Sequence, residues 1–314
     1  LNTGKDFQVF SGNFYGKYFL LKWNAILLLD KSQFPRILLS MDDLFPNKIQ
    51  EKIMKRFLMV FIFLLVCVSR IDALDLNAEP CAGERMVKTL DGIGYAFRWC
   101  PAGTFMMGSP EGEPSRCPDE SPREVRLTHG FWMLETEVTQ EMWKSVMGNE
   151  PGVFRGERLP VEQVGWVDCV EFCRKLSEKL ALTVTLPTEA QWEYACRAGT
   201  VGPFAGNIDE MAWYGPNSGE RTRPVGQKKP NAWGLYDMHG NVWEWCLDWY
   251  AEDTYLDSPV TDPQGPARGV NRVYRGGGWY GDARFCRSAY RNYYAPNFRS
   301  YGHGFRVILT ESGE

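Results

Sequence analysis

Apolar positions in this chain take up helical spacing in only a few places. Between Val167 and Leu180, the residues Cys169, Phe172, Cys173, Leu176 and Leu180 fall on one face, which is the three-and-four repeat of an amphipathic helix. Two further helices are marked by their ends. Thr139 caps a helix ending near Met147, with Gly148 just beyond it; these are favoured residue types at the two termini. Thr188-Glu189-Ala190-Gln191 follows Pro187 with the spacing of a capping box and opens a helix that stops at Gly199. Strand-like alternation is brief, as in Arg123 to Leu127. Ser109 to Pro122, rich in Pro, Glu and Ser, predicts an exposed loop. The remainder reads as turns and short aromatic strands. So few long periodic elements predict an irregular α+β fold.

One apolar run is different in kind. Phe57 to Val66 follows Met54-Lys55-Arg56 and precedes Ile71-Asp72-Ala73. A basic start, a short apolar centre and an Ala before polar sequence describe a secretory signal peptide. The run is short for a bilayer span. A membrane anchor is the competing reading, and Leu64-Leu65-Val66-Cys67 is a poor lipoprotein box because of its Val. The chain is therefore divided into residues 1–53, an upstream extension before the true start; 54–73, the signal peptide; and 74–314, one domain. Export to the periplasm, cell surface or medium is expected. Membrane contact would come only through the signal peptide or a lipid anchor.

Composition narrows the function. The chain has 314 residues, 44% of them hydrophobic, and a net charge of -4. That is globular composition with no sign of a nucleic-acid partner. His129, His239 and His303 lie far apart without HxH or HExxH spacing, which disfavours a histidine metal centre. Beyond the signal peptide lie Cys81, Cys100, Cys117, Cys169, Cys173, Cys196, Cys246 and Cys286. Their even number is compatible with disulfides in an exported protein. Cys169 and Cys173, one helical turn apart, read instead as small packing residues.

Several segments, taken in order, resemble the formylglycine-generating-enzyme or sulfatase-modifying-factor family. They are Gly103-Thr104-Phe105-Met106-Met107-Gly108-Ser109, Glu137-Val138-Thr139, Pro160-Val161-Glu162, the stretch 186–193 (LPTEAQWE), Gly234-Leu235-Tyr236-Asp237-Met238, Gly240-Asn241-Val242-Trp243-Glu244-Trp245 and Gly304-Phe305-Arg306. The resemblance spans roughly Met86 to Leu309 and implies a C-type-lectin-like fold with little regular secondary structure. Family enzymes use oxygen, and copper held by two cysteines, to oxidise the cysteine of a Cys-x-Pro-x-Arg sulfatase segment to formylglycine. Two soft thiolates select Cu(I). Laid on this chain, the second family cysteine falls on Cys286 but the first on Gly281. Nearby, Gly278, Asp282, Phe285 and Gly302 replace the family's Ser, His, Tyr and Asn, while Trp243 persists. Copper is therefore not expected, and Cys286 is either a surviving catalytic thiol or a buried small residue. Cys173 and Cys196 match one half of each family disulfide, with Val307 and Arg291 at the partner positions.

The resemblance also implies calcium, held by the carboxylates of Asp237 and Glu244 and the carbonyls of Gly240 and Val242. Hard oxygens are what calcium takes. The alternative is a hydrogen-bonded turn. A second family calcium site would fall near Trp213 and Tyr214, without clear ligands.

The C-terminal segment further resembles the variable region of diversity-generating-retroelement target proteins. Its frame is Arg275-Gly276-Gly277-Gly278-Trp279, Cys286-Arg287-Ser288-Ala289 and Gly304-Phe305-Arg306. The positions between are Tyr280, Gly281, Asp282, Phe285, Tyr290, Asn292, Tyr293, Tyr294, Ala295, Phe298, Ser300, Tyr301, Gly302 and His303. Every one of those residue types has a codon ending in C, as error-prone copying of Asn codons would leave. Tyr, Gly, Ser and Asp are also what binding loops prefer.

The resulting expectation is a face that binds a protein or glycan ligand. Its residues are Trp243, Tyr280, Asp282, Phe285, Tyr290, Tyr293, Tyr294, Phe298, Tyr301 and His303. The main alternative is copper-dependent oxidation of a sulfatase peptide at Cys286. An iron-oxygenase role, as in ergothioneine-synthesising relatives, is disfavoured by the scattered histidines.

Overall fold

The structure, a computed structural model, describes residues 79–252 and 260–310, together with a backbone hairpin nearer the N-terminus. The chain separates into two units, 1–78 and 79–314. In the first, β1 (Tyr18–Lys22) and β2 (Ala25–Leu29) pair antiparallel. Apart from that hairpin, the expected extension and signal peptide lie outside the described residues.

The second unit begins with β3 (Arg85–Leu90) and β4 (Ile93–Cys100), joined by Asp91-Gly92. Both turn residues have positive φ, 51° and 82°, which suits the twist of a two-residue hairpin. Then come β5 (Gly103–Met107), β6 (Arg123–Leu127) and β7 (Phe131–Leu134), followed by helices α1 (Gln140–Met147) and α2 (Trp166–Leu180). After β8 (Thr183–Thr185) and α3 (Glu189–Arg197) stand the single-turn helices α4 (Ile208–Met211) and α5 (Gly215–Ser218). The last part holds β9 (Trp243–Trp249), β10 (Val260–Thr261), β11 (Arg272–Arg275), β12 (Asn292–Tyr294), β13 (His303–Gly304) and β14 (Ile308–Thr310).

Three sheets result. Their strand orders are β3-β4-β7-β14-β8, β12-β11-β9-β13 and β10-β6-β5. β14 enters the first sheet between β7 and β8, so the end of the domain closes a sheet that its beginning opened. The α+β class and the sparse regular structure agree with the sequence reading.

All three expected helices form, and for the expected reasons. The Thr139 hydroxyl accepts from Met142 N at 3.3 Å, and Gly148 takes the left-handed φ of 76°. Thr188 Oγ1 accepts from Gln191 N at 3.1 Å while Gln191 Oε1 accepts from Thr188 N at 2.9 Å, completing the capping box. The third helix ends one residue early, with Ala198 rather than Gly199 as its left-handed cap. On α2 the buried face is Cys169, Phe172, Cys173 and Leu176. Phe172 stacks on Trp143 of α1 at 5.6 Å, and Phe305 meets both rings edge-on. Truncating such an aromatic in a packed core costs about 3–5 kcal/mol.

The loop 109–122 is irregular and mostly exposed, as expected, but three of its polar side chains turn inward. Ser109 and Glu120 are fully buried and Glu113 nearly so. The cause is Arg287, which donates to Glu113 Oε1 and Glu120 Oε1 at 2.6 Å each. A long polar loop is pinned inward because it carries the counter-charges of a buried guanidinium.

That pairing is one of a set. Arg306 donates through Nε and Nη2 to the two Glu244 oxygens at 2.6 and 2.7 Å, and Trp192 Nε1 adds a third bond at 2.7 Å. Arg291 grips Glu189 at 2.6 and 2.8 Å. Arg275 lies against Glu193 and Glu189, and Arg197 bonds Glu193 at 2.9 Å. All of these side chains are buried. Breaking a buried pair strands a charge and costs about 3–5 kcal/mol. Arg306→Ala is therefore expected to lower the urea midpoint sharply. Arg174→Ala, which removes exposed pairs with Glu171 and Glu178 on α2, is expected to leave it unchanged.

Glu137 and Asp237 share the interior with Glu244 and Arg306. Burial first, then the Asp237 and Glu244 charges, raise the Glu137 carboxyl well above its ordinary range. Burial pushes Asp237 up to about 6. A carboxyl raised on folding contributes stability that is complete below its unfolded pKa and is lost as pH rises through its folded one. The Asp237 share of the melting-temperature profile is thus expected to fall between about pH 4 and pH 6, against the opposite slope of the buried His239 and His303, whose pKa values are lowered to about 4 and about 3. Asp237→Asn, which keeps an oxygen for Gly226 N (2.7 Å from Asp237 Oδ2), is expected to remove that share. An unchanged profile would contradict the assignment.

Candidate functional site

The C-terminal face is built on β11, which places Arg275 in the interior just before two left-handed glycines, Gly276 and Gly277 at φ 95° and 78°. A Cβ at Gly277 would collide with Cys286 Sγ and its backbone, so the chain can turn here only with glycine. Trp279 N then donates to Asn241 O at 2.8 Å. Asp282 caps a 3₁₀ turn over Ala283–Cys286 by accepting from Arg284 N at 2.9 Å. β12 carries Tyr293 and Tyr294 outward, and the chain returns through Phe298 and Tyr301 to β13, where His303 pairs beside Trp243 of β9.

Exposure sorts the expected ligand residues into two layers. Tyr280, Tyr293, Tyr294 and Tyr301 are 41–48% exposed, and Asp282 is exposed with them. Phe285, Tyr290 and Phe298 are half-buried. Trp243 and His303 are buried at 4% and 3% exposure, so these two belong to the floor and not to the contact surface. In that floor His303 meets Tyr274 at 4.5 Å and Phe298 at 5.2 Å edge-on, and lies nearly parallel to Trp243 at 6.4 Å. Neither His303 ring nitrogen has a hydrogen-bond partner, and burial lowers the pKa to about 3. The imidazole is therefore neutral and acts as an aromatic spacer.

The exposed rings form pairs. Tyr294 stacks on Phe298 and Tyr293 on Tyr250, each at 3.8 Å. Trp279 contacts Tyr280 at 5.3 Å, Tyr301 at 5.5 Å and Phe154 at 5.6 Å. Phe154 and Tyr250 were not foreseen as part of this face. Phe154 sits in a glycine-flanked loop distant in sequence, and only the Trp-rich alternation running into Tyr250 hinted at its role.

The thiol chemistry does not assemble. Cys286 is fully buried against Ala212 and Tyr214, and burial pushes its thiol far up. Its carbonyl accepts from His239 Nδ1 at 2.7 Å. At the other family cysteine position the Gly281 carbonyl accepts from Gly215 N at 2.8 Å, and a side chain there would press on Phe285. One thiol held protonated by burial does not fit a two-thiolate copper site, so no step through copper is assigned. The eight described cysteines carry free thiols. Cys169 and Cys173 pack as small core residues, as expected.

The calcium set fits only in part. Asp237 is buried with Oδ1 unpartnered, which an ion could use. Glu244, however, has both oxygens taken by Arg306 and Trp192. The carboxylate read as a calcium ligand is here the partner of an arginine. Gly240 N bonds Gly276 O at 2.7 Å and Val242 N approaches Glu137 Oε1 at 3.3 Å, contacts of the N–H groups and not of the carbonyls expected to meet calcium. Among the described residues no group of three or more His, Cys, Asp or Glu is placed to hold a metal ion. Near the second expected site, Trp213 O accepts from Asn241 N at 2.7 Å and Tyr214 OH donates to Asp209 at 2.6 Å.

Comparison with known proteins agrees with the fold. The model of the sulfatase-modifying factor enzyme 1-like domain matches residues 95–311. A chaperone protein LppX from Paenibacillus barcinonensis is 33% identical over 246 residues, 61% of this chain and 84% of that protein. The formylglycine-generating enzyme of Streptomyces coelicolor is 35% identical over 184 residues, 52% of this chain and 57% of that enzyme. Among solved structures, Treponema denticola variable protein 1 superposes with a TM-score of 0.68 at 33% identity, covering 72% of this chain and 98% of its own. With the motifs, the sheet order and these matches in agreement, the chain belongs to the sulfatase-modifying-factor, or formylglycine-generating-enzyme, family.

Proposed function

We propose that this chain is an exported binding member of the family that grips a protein or glycan ligand through its C-terminal aromatic face. The observation that carries the reading is the layering of that face. Four tyrosines stand exposed on a floor of Trp243, Tyr274 and His303, and the family's two-thiol centre has no counterpart. Tyrosine gives large contact area at low entropic cost. Exposed aromatics clustered in this way mark interaction sites on soluble proteins. The chaperone description of the Paenibacillus relative accords with a surface that holds another protein. Export rests on the basic start, the apolar run and Ala73; among the described residues no helix is long and apolar enough to cross a membrane. Calcium is given no role in binding, because Glu244 is committed to Arg306.

The reading is tested by screening the chain on an array of purified glycans and extracellular proteins. Whatever probe is retained, Tyr293→Ala, Tyr294→Ala and Tyr301→Ala together are expected to weaken it by about 30-fold or more, with the melting temperature kept. Undiminished binding by the triple variant would place the ligand elsewhere.

Diversification of the same face is part of this proposal, supported by the C-ending codon property and by the likeness to the Treponema variable protein. Reading the gene is expected to show C-ending codons from Tyr280 to His303 beside an adenine-rich near-copy and a reverse transcriptase. Mixed third bases with no near-copy would leave a fixed binding surface.

A further inference from the structure

We infer that the aromatic face continues into a cleft that binds anionic sugars. The inference rests on the binding reading above and deepens it by naming a ligand chemistry. The cleft, about 470 Å³, lies between loops 155–159 and 221–224. Its charged lining is Arg155, Arg158, Arg221 and Arg223 against one carboxylate, Glu157.

These arginines differ from those of the interior. Each buried guanidinium described above holds a carboxylate, whereas among the described residues none of these four is ion-paired. Arg155 Nη1 donates to Glu150 O at 2.8 Å and Arg158 Nη2 to Val225 O at 3.3 Å. Arg223 Nε donates to Ser218 O and its guanidinium lies 5.4 Å from the Trp213 ring. Arg221 has the Phe154 ring at 5.7 Å. Each guanidinium has five N–H donors, so most remain for a ligand. Thr222, between two of the arginines, is fully buried and its hydroxyl has no hydrogen-bond partner. A buried polar group left this way calls for one.

The cleft and the aromatic face join through Phe154, which touches Arg221 on one side and Trp279 on the other. A ligand crossing from Tyr280 and Tyr301 into the cleft meets flat apolar rings and then the four arginines that line it. A uronic or sulfated sugar offers both matches, a C–H face for the rings and dense anions for the forks, which pair bidentately with such groups. The net charge of -4 argues against general polyanion attraction, so such binding would be local.

The test titrates the full chain with size-defined dextran sulfate, unsulfated dextran and polyglutamate by calorimetry at two salt concentrations. Dextran sulfate is expected to bind, more weakly at high salt, with unsulfated dextran silent and polyglutamate weaker. Arg155→Gln with Arg221→Gln, both exposed, is expected to cost about tenfold or more in affinity, and Arg174→Gln on α2 nothing. Absent dextran sulfate binding, an indifferent double variant, or polyglutamate bound as tightly would overturn the inference. A probe from the array that is lost in the tyrosine variant yet unaffected by the arginine variant would sink the anionic-sugar inference alone. Dextran sulfate binding lost in the arginine variant and untouched in the tyrosine variant would keep the cleft and sink its link to the aromatic face.

Discussion

Buried guanidinium–carboxylate pairing is the constraint on which this fold depends. Arg306, between β13 and β14, holds Glu244 on β9, and Trp192 of α3 closes the same carboxylate. Arg275 and Arg291 hold Glu189 and Glu193 of α3, and Arg287 holds the loop that contains Glu113 and Glu120. With so little regular secondary structure, backbone ladders alone do not specify where the long loops go. Directional, bidentate pairs between segments far apart in sequence do. Desolvation makes them weak contributors to net stability, but losing one partner is costly, so they act as selectors of one arrangement.

This changes the meaning of the motifs that identified the family. The acidic residues of the 186–193 stretch, Glu244 in the Trp-Glu-Trp stretch and Arg306 after Gly304-Phe305 pair with one another or with the frame of the C-terminal segment. They are structural partners, and a chain that keeps them keeps the fold whatever becomes of the two-thiol chemistry. Loss of the cysteine at position 281 is tolerable because that position contributes a backbone contact to Gly215, while Cys286 serves as a small buried residue.

Helices were the most legible elements, since their signals are local. Thr139, Thr188 and Gly148 act within a turn of where they stand, and the α2 stripe is read from spacing alone. The short strands were legible only as a class, because two- to eight-residue strands owe their existence to partners elsewhere. The loop 109–122 was legible as an exposed loop but its anchoring was not, because Glu113 and Glu120 are drawn inward by Arg287, more than a hundred and fifty residues away (Glu120 to Arg287 is 167). The pairing of Glu244 was hidden for the same reason: a carboxylate that suits calcium also suits a guanidinium, and Arg306 lies 62 positions away. At the C-terminal aromatic face, residue type predicted recognition, but the alternation of floor and display needed the path of β12 and β13.

That alternation limits how freely the face can vary. Tyr280, Tyr293, Tyr294 and Tyr301 project outward, so substitution there alters contacts and leaves the frame alone. Gly302 and His303 lie in the same stretch yet are buried. A Cβ at Gly302 would strike the Tyr280 ring, and a larger residue would therefore re-aim an exposed tyrosine without itself reaching the surface. His303 fills space between Tyr274, Phe298 and Trp243, so a charged replacement would be desolvated and would push the floor apart. Variation at the two buried positions thus acts on the shape of the face, while variation at the four exposed ones acts on its chemistry.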